Sequence, residues 1–198
     1  MAVRDTGAEQ KIKDSAKKMF FSEGKLHATT QDIADAAGVN RTLLNYYFRT
    51  REILFETVFK EAMQEMGVKL DSVFLSKTPF YEKIEMFIDV FTAEITAYPY
   101  REIFLITEIH RQDVKHLNTG PGHSQIFKTF FVEVQSAIDG GILRASTTPL
   151  NFTMNLFSIM AYPVIMEPLY RNMFDLNAEQ FAENLKTRKA EILDMLFK

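Results

Sequence analysis

The chain has 198 residues, 46% of them hydrophobic, enough for one large domain or two modest ones with a substantial core. It holds no cysteine, which excludes disulfides and thiolate sites and fits a reducing, cytoplasmic setting; it also has no run of eighteen apolar residues and no charged and apolar leader, so neither membrane spanning nor secretion is expected. The net charge of −3 hides a division: residues 1–51 carry nine Lys or Arg against six Asp or Glu, +3, and the remainder fourteen against twenty, −6.

Proline is sparse and no strand-like alternation is sustained, so the spacing predicts helices nearly throughout. The first spans about Ala8 to Glu23, with Ile12, Ala16, Met19 and Phe20 on one stripe and Gly24 ending it. Thr29 and Thr30 stand where a cap is needed for a second helix reaching Ala37, on which Ile33 faces inward and Ala34 is small enough for another helix to cross above it. Gly38 follows where the chain must turn left-handed, Val39 is expected in the core, and Asn40 caps a third helix. There Leu44 and Phe48 face inward, which leaves Arg41, Thr42 and Leu43 exposed in the first turn and Asn45 one turn on. Such residues hydrogen-bond base edges and touch thymine methyls in the major groove. Gln31 is expected at the edge of the groove, and Thr29 and Asn40 are counted with it among the candidate DNA-binding residues. Tyr46 and Tyr47 read either as partly core or, for Tyr47 in particular, as a phosphate contact. Phosphate attraction is screened within about 8 Å at physiological salt, so a distant acidic portion does not forbid a basic head from binding a duplex.

The stretch GVNRTLLNYYFRTREILF, Gly38 to Phe55, resembles the helix-turn-helix pattern of TetR-type transcriptional regulators, and the likeness extends over about Ala8 to Phe59. The resemblance implies that Arg51, in place of a lysine, contacts phosphate, as do Thr30 and Tyr47. Two positions depart from the pattern: Asn45 stands where an aromatic is common, and Lys25 replaces the aromatic usual after Gly24. The implied fold is all-α, with about nine helices. Residues 1–50 form a three-helix DNA-binding head; residues 51–198 form a larger helical domain for ligand binding and dimerisation.

Thr50 caps the fourth and longest helix, with Ile53, Leu54, Val58, Ala62, Met66, Leu70 and Val73 at helical spacing to about Leu75. Thr78 and Pro79 open a fifth, and Pro99 a sixth through about Arg111. A polar loop, residues 112–122, precedes a helix from about His123 to Asp139 that Gly140 and Gly141 stop. Thr148 and Pro149 begin an eighth helix running to Tyr170, apolar nearly all round and kinked by Pro163. The last starts at Asn177, with Gln180 in capping-box spacing.

Eighteen phenylalanines and ten methionines suit either a core or the adaptable wall of an apolar pocket. In the family resembled, the effector lies among the helices after the fourth. On that basis Phe87, Phe91, Phe104, Phe127, Phe130 and Phe131 are candidate walls, with Met154, Phe157 and Met160. Glu108 or His110 could anchor a polar end, the alternative being a surface ion pair with Arg111 or Lys115. The spacing of His110, His116 and His123 does not stack on one helix face, and neither a metal nor a cofactor is expected. The eighth and last helices match in placement the family's dimer pair, which nominates Ile165, Phe181, Leu185, Ile192 and Leu196 as interface. With no phosphate loop, nucleophile elbow or paired metal motif, the chain does not read as an enzyme. The expected partners are a double-stranded DNA operator, a second copy and a small apolar or amphipathic effector. A helical interaction module or an enzyme with a hydrophobic cavity is the alternative.

Overall fold

A computed structural model describes residues 6–110 and 121–197, with the side chains of 7–107 and 125–197. Regular structure among them is helical throughout: α1 (Thr6–Lys17) continued by a π-helical turn (Lys18–Ser22), α2 (Thr30–Ala37), α3 (Arg41–Tyr47), α4 (Arg51–Phe74), α5 (Phe80–Ala97), α6 (Pro99–His110), α7 (Pro121–Asp139), α8 (Pro149–Ile165), α9 (Glu167–Met173) and α10 (Ala178–Phe197). The described residues divide into two compact units. One gathers residues 6–67 with 97–110, the other 68–96 with 121–197. The long α4 contributes to both, up to Gly67 in the first and from Val68 in the second.

The first unit is built on the end of α1. Ile12, Ala16, Met19 and Phe20 are buried as their spacing predicts, and so is Phe21. Three consecutive buried side chains exceed what one face of an α-helix presents. The π turn, closed by the Glu23 N–H donating to the Lys18 carbonyl at 3.0 Å, brings all three inward. Phe20 and Phe21 then meet Phe55 with ring centroids 5.2 and 5.9 Å away, and Phe55 meets Phe104 of α6 at 4.6 Å. Two ion pairs one helical turn apart, Lys13 with Glu61 and Lys17 with Glu65, run along the α1–α4 seam.

In the second unit Phe87, Phe91 and Phe157 pack mutually at 5.3–5.8 Å, and Phe130 lies 4.7 Å from Phe74. The buried Lys83 of α5 donates to the Phe74 carbonyl at 3.0 Å and to the Glu133 carboxylate at 2.7 and 2.9 Å, so one ammonium satisfies the end of α4 and a carboxylate on α7.

The helix expected to run from Thr148 to Tyr170 is two helices. Pro163 sits inside α8, and the break comes at Met166, between Pro163 and the Pro168 of the first turn of α9. Because proline has no N–H, the Ile159 carbonyl lacks its helical donor. Nη2 of Arg188 on α10 supplies one at 3.2 Å. Arg188→Leu is therefore expected to lower stability by about 1–2 kcal/mol. In a Pro163→Ala background, where the helical N–H returns, the same change should cost measurably less; a denaturation double-mutant cycle reads the difference, and strict additivity would show that the two sites do not communicate.

Candidate nucleic-acid interface

The α2–α3 corner is made by short-range chemistry. Thr29, with extended backbone, caps α2: its hydroxyl oxygen accepts from the Asp32 N–H at 3.2 Å, while the Asp32 carboxylate accepts from the Thr29 N–H at 2.7 Å and from the Thr29 hydroxyl at 2.8 Å. This reciprocal capping box leaves the Thr29 side chain committed to the protein. Gly38 ends α2 at φ +66°, ψ 31°, where a side chain would meet no neighbour; the left-handed backbone alone asks for glycine. Asn40 Oδ1 accepts from the Leu43 N–H at 2.8 Å and starts α3.

Ile33 and Ala34 of α2, and Leu44 and Phe48 at α3, are buried; Val39, placed in the core from sequence, is only half-buried. On that base α3 turns Arg41, Thr42, Asn45 and Tyr46 to the exterior, the last 67% exposed. Leu43, expected among the exposed residues, is half-buried, because it lies between the outward pair at 41 and 42 and the inward Leu44. Tyr47 is half-buried, its ring 5.3 Å from that of Tyr46 and 6.4 Å from that of Phe48. Thr30 is half-buried, and the Gln31 amide donates to Asp35 at 2.7 Å.

Arg51 differs most from its expectation. Its Nε donates to the Ala28 carbonyl at 2.7 Å, its Nη2 to the Leu26 carbonyl, and its guanidinium lies 5.2 Å from the Phe20 ring centroid. The group assigned to phosphate is held against the loop before α2. Arg49, which the sequence reading passed over, is exposed at the bend between α3 and α4. Its position after Phe48, whose backbone is extended, takes it off the α3 periodicity that would have exposed it to pattern reading.

The candidate pocket walls fall in both units. Phe104 belongs to the first unit and the rest to the second. Phe87, Phe91, Phe130 and Met160 are buried core, and Phe131 and Phe157 are half-buried. Phe127 is exposed and Met154 is 53% exposed; the side chains of Glu108 and His110 lie outside the described ones. A cleft of about 520 Å³ opens instead between α5 and α10, lined by Tyr81, Glu85, Lys186, Lys189, Leu193 and Phe197 among others. Of the nominated interface, Phe181, Ile192 and Leu196 are buried within the single chain. They answer the apolar face of the monomer's own core. Only Ile165 and Leu185 remain half-exposed. No cluster of metal-binding side chains occurs among the described residues, and none of the described helices is long and apolar enough to cross a membrane.

Residues 12–58 match the sequence model of the tetR family of bacterial regulatory proteins. That match covers the head, residues 12–58, and not the rest of the chain. Comparison with curated proteins gives no match. Among solved structures, the chain is similar to the ketosteroid transcriptional regulator KstR2 of Mycobacterium tuberculosis, at 17% identity and a TM-score of 0.65 over 99% of this chain and 97% of that one. It is also similar to the transcriptional regulator FadR of Bacillus subtilis in complex with stearoyl-CoA, at 16% identity and 0.63 over 96% and 98%. FadR of Bacillus halodurans, a fatty acid degradation regulator, gives 16% and 0.61 over 98% and 96%. At these identities the likeness carries the fold alone.

The capping box makes the start of α2 acid-sensitive. The Thr29 backbone N–H, then its hydroxyl, hold the Asp32 carboxyl below its ordinary 3.8. A depressed folded-state value means that the box stabilises α2 above the unfolded value and loses that contribution as pH falls through the folded one. Acid titration followed by the amide resonances of Thr29 and Asp32 should show the cap releasing below pH 3.8 in the wild type. Asp32→Asn should lack that transition.

Proposed function

We propose that the chain is a transcriptional repressor that reads a near-palindromic operator as a symmetric dimer and is released by a small apolar or amphipathic molecule. The observation that carries this reading is the outer face of α3: Arg41, Thr42, Asn45 and Tyr46 stand exposed on a base of Leu44 and Phe48, inside a head that matches the family. Arginine pairs bidentately with guanine and asparagine with adenine, and both reach the major groove from the first turns of a recognition helix. Arg49 and Tyr47 flank that face and are assigned to phosphate; Arg51 is assigned to the protein. A duplex pool of random sequence, selected on the chain and then sequenced, tests the reading. Arg41→Ala should weaken the selected duplex by about 1–3 kcal/mol and random duplex far less. Arg49→Ala should weaken both alike and flatten the salt dependence by about one in slope. Equal losses on both duplexes for Arg41→Ala would remove base reading.

The dimer reading moves outward along α8. Pro149–Ile165 contains no charged residue, yet Leu150, Met154 and Tyr162 are exposed with Asn151, Asn155 and Ser158 between them. An exposed helix face depleted of charge and carrying aromatic and methionine side chains is the composition of an interface core. A two-fold contact presents the same patch twice. Met154→Glu with Tyr162→Glu is expected to give folded monomers in sedimentation, with loss of the selected duplex. Ile192→Glu, in the monomer core, is expected to unfold the chain instead.

For the effector, support comes from the phenylalanine-rich second unit and from FadR of Bacillus subtilis, solved in complex with the amphipathic stearoyl-CoA. Long-chain acyl-CoA added to the protein–duplex complex is the first titrant. Release by about 5- to 150-fold in affinity is the range for such coupling, and the ligand must bind the released shape better than the duplex-bound one.

A further inference from the structure

The loop from Gly24 to Ala28 leads directly into the cap of α2, and two side chains from distant parts of the sequence grip it. The first is Tyr100, in the opening turn of α6. Gly24 has φ +66°, and a Cβ built there would lie 2.5 Å from Cζ of Tyr100 and 2.6 and 2.8 Å from its two Cε atoms. The phenol end of the ring therefore closes onto bare backbone, at a contact no other residue type leaves open. The second grip is Arg51, at the start of α4, whose guanidinium holds the Leu26 and Ala28 carbonyls and covers the Phe20 ring. The contacts around Tyr100 favour the same attachment. The Ser22 hydroxyl donates to the Ala97 carbonyl at 2.9 Å, and the Lys17 ammonium lies 4.8 Å from the Tyr98 ring centroid.

Between these grips the loop has its own short bonds: the N–H groups of Lys25, Leu26 and Ala28 donate to the Met19, Gly24 and Lys25 carbonyls at 2.9, 2.8 and 3.0 Å. Thr29 follows at once as the cap of α2. That helix has eight residues and buries only Ile33 and Ala34, too little to fix its own place. We propose that Tyr100 and Arg51 are positioning residues of the reading head, closing on the Gly24–Ala28 loop from α6 and α4 so that the seating of α2 depends on where those two helices begin. Arg51 acts through the loop and touches no base, and Tyr100 is about fifty residues beyond the last residue of the head as sequence pattern defines it. A change that shifts the first turn of α6 thus acts on the cap of α2 without passing through α3. The link to DNA rests on the proposed function; the clamp itself does not.

Amide hydrogen exchange on the full chain tests it. Tyr100→Ala should speed exchange at Lys25, Leu26, Ala28 and Ile33 by about tenfold or more, with Phe87 to Phe91 of α5 unchanged as a reference for global stability. Tyr100→Phe, which keeps every ring carbon over Gly24, should restore the wild-type pattern. If the α5 amides also loosen in the alanine variant, Tyr100→Leu, which keeps apolar volume at the site, takes its place. Arg51→Met should loosen Leu26 to Ala28 in the same way. Unchanged loop exchange with a folded α5, or a phenylalanine variant as loose as the alanine one, would overturn the proposal. The duplex selected by the wild type is then challenged with the same variants, and retention should fall for Tyr100→Ala and not for Tyr100→Phe. Failure of the wild type to select any duplex would refute DNA reading while the exchange data still decide the clamp.

Discussion

Helices of seven and eight residues lie below the length at which backbone bonding alone sustains a helix in water, so α2 and α3 depend on being capped and on being held. Their caps are local, at Thr29, Asn40 and Gly38. Their hold is the aromatic and aliphatic mass under them, and the π turn is what concentrates it: Met19, Phe20 and Phe21 all turn inward where an ordinary helical continuation would have sent one to solvent. Ring pairs of this kind contribute about 0.5–1.5 kcal/mol each beyond the area they bury, and several meet at Phe55. A polar outer face on α3 is tolerable because the inner side of the same unit is anchored this firmly.

What the sequence made legible follows from the range of the forces involved. Caps, the left-handed turn and the 3.6-residue stripe are set within a few positions, and Thr29, Asn40, Gly38, Leu44 and Phe48 sit where their spacing put them. Arg51 was read as a phosphate contact, and its two acceptors, at Leu26 and Ala28, are more than twenty residues back along the chain, beyond the reach of a local pattern. Phe21 was left off the inward stripe of the first helix, since nothing in a periodic pattern announces a π turn. The break at Met166 needed both Pro163 and Pro168, and only the first was weighed.

In the second unit composition was a weaker guide than position. A phenylalanine-rich sequence is equally a core and a pocket until the rings are placed, and Phe87, Phe91 and Phe157 turn out to fill space with one another. The apolar stripe of α10 had been offered to a second chain, but Phe181, Ile192 and Leu196 are consumed by the first. Burial cannot be assigned twice. The apolar residues that the proposed dimer uses are those that remain outside, on α8.

In the proposed dimer, the absence of charge from α8 bears on partner choice. Interfaces that discriminate among related chains commonly do so by setting like charges against each other in the wrong pairing. A face made of Leu150, Asn151, Met154, Asn155, Ser158 and Tyr162 has no such veto, and two methionine-bearing surfaces of that kind adjust to one another readily. In that proposed pairing, selectivity would be left to contour and to the pairing of amide and hydroxyl groups. In a cell with several chains of this fold, hybrid pairs would be held apart by shape and by relative abundance, and a single surface change on α8 would be enough to redraw which chains associate.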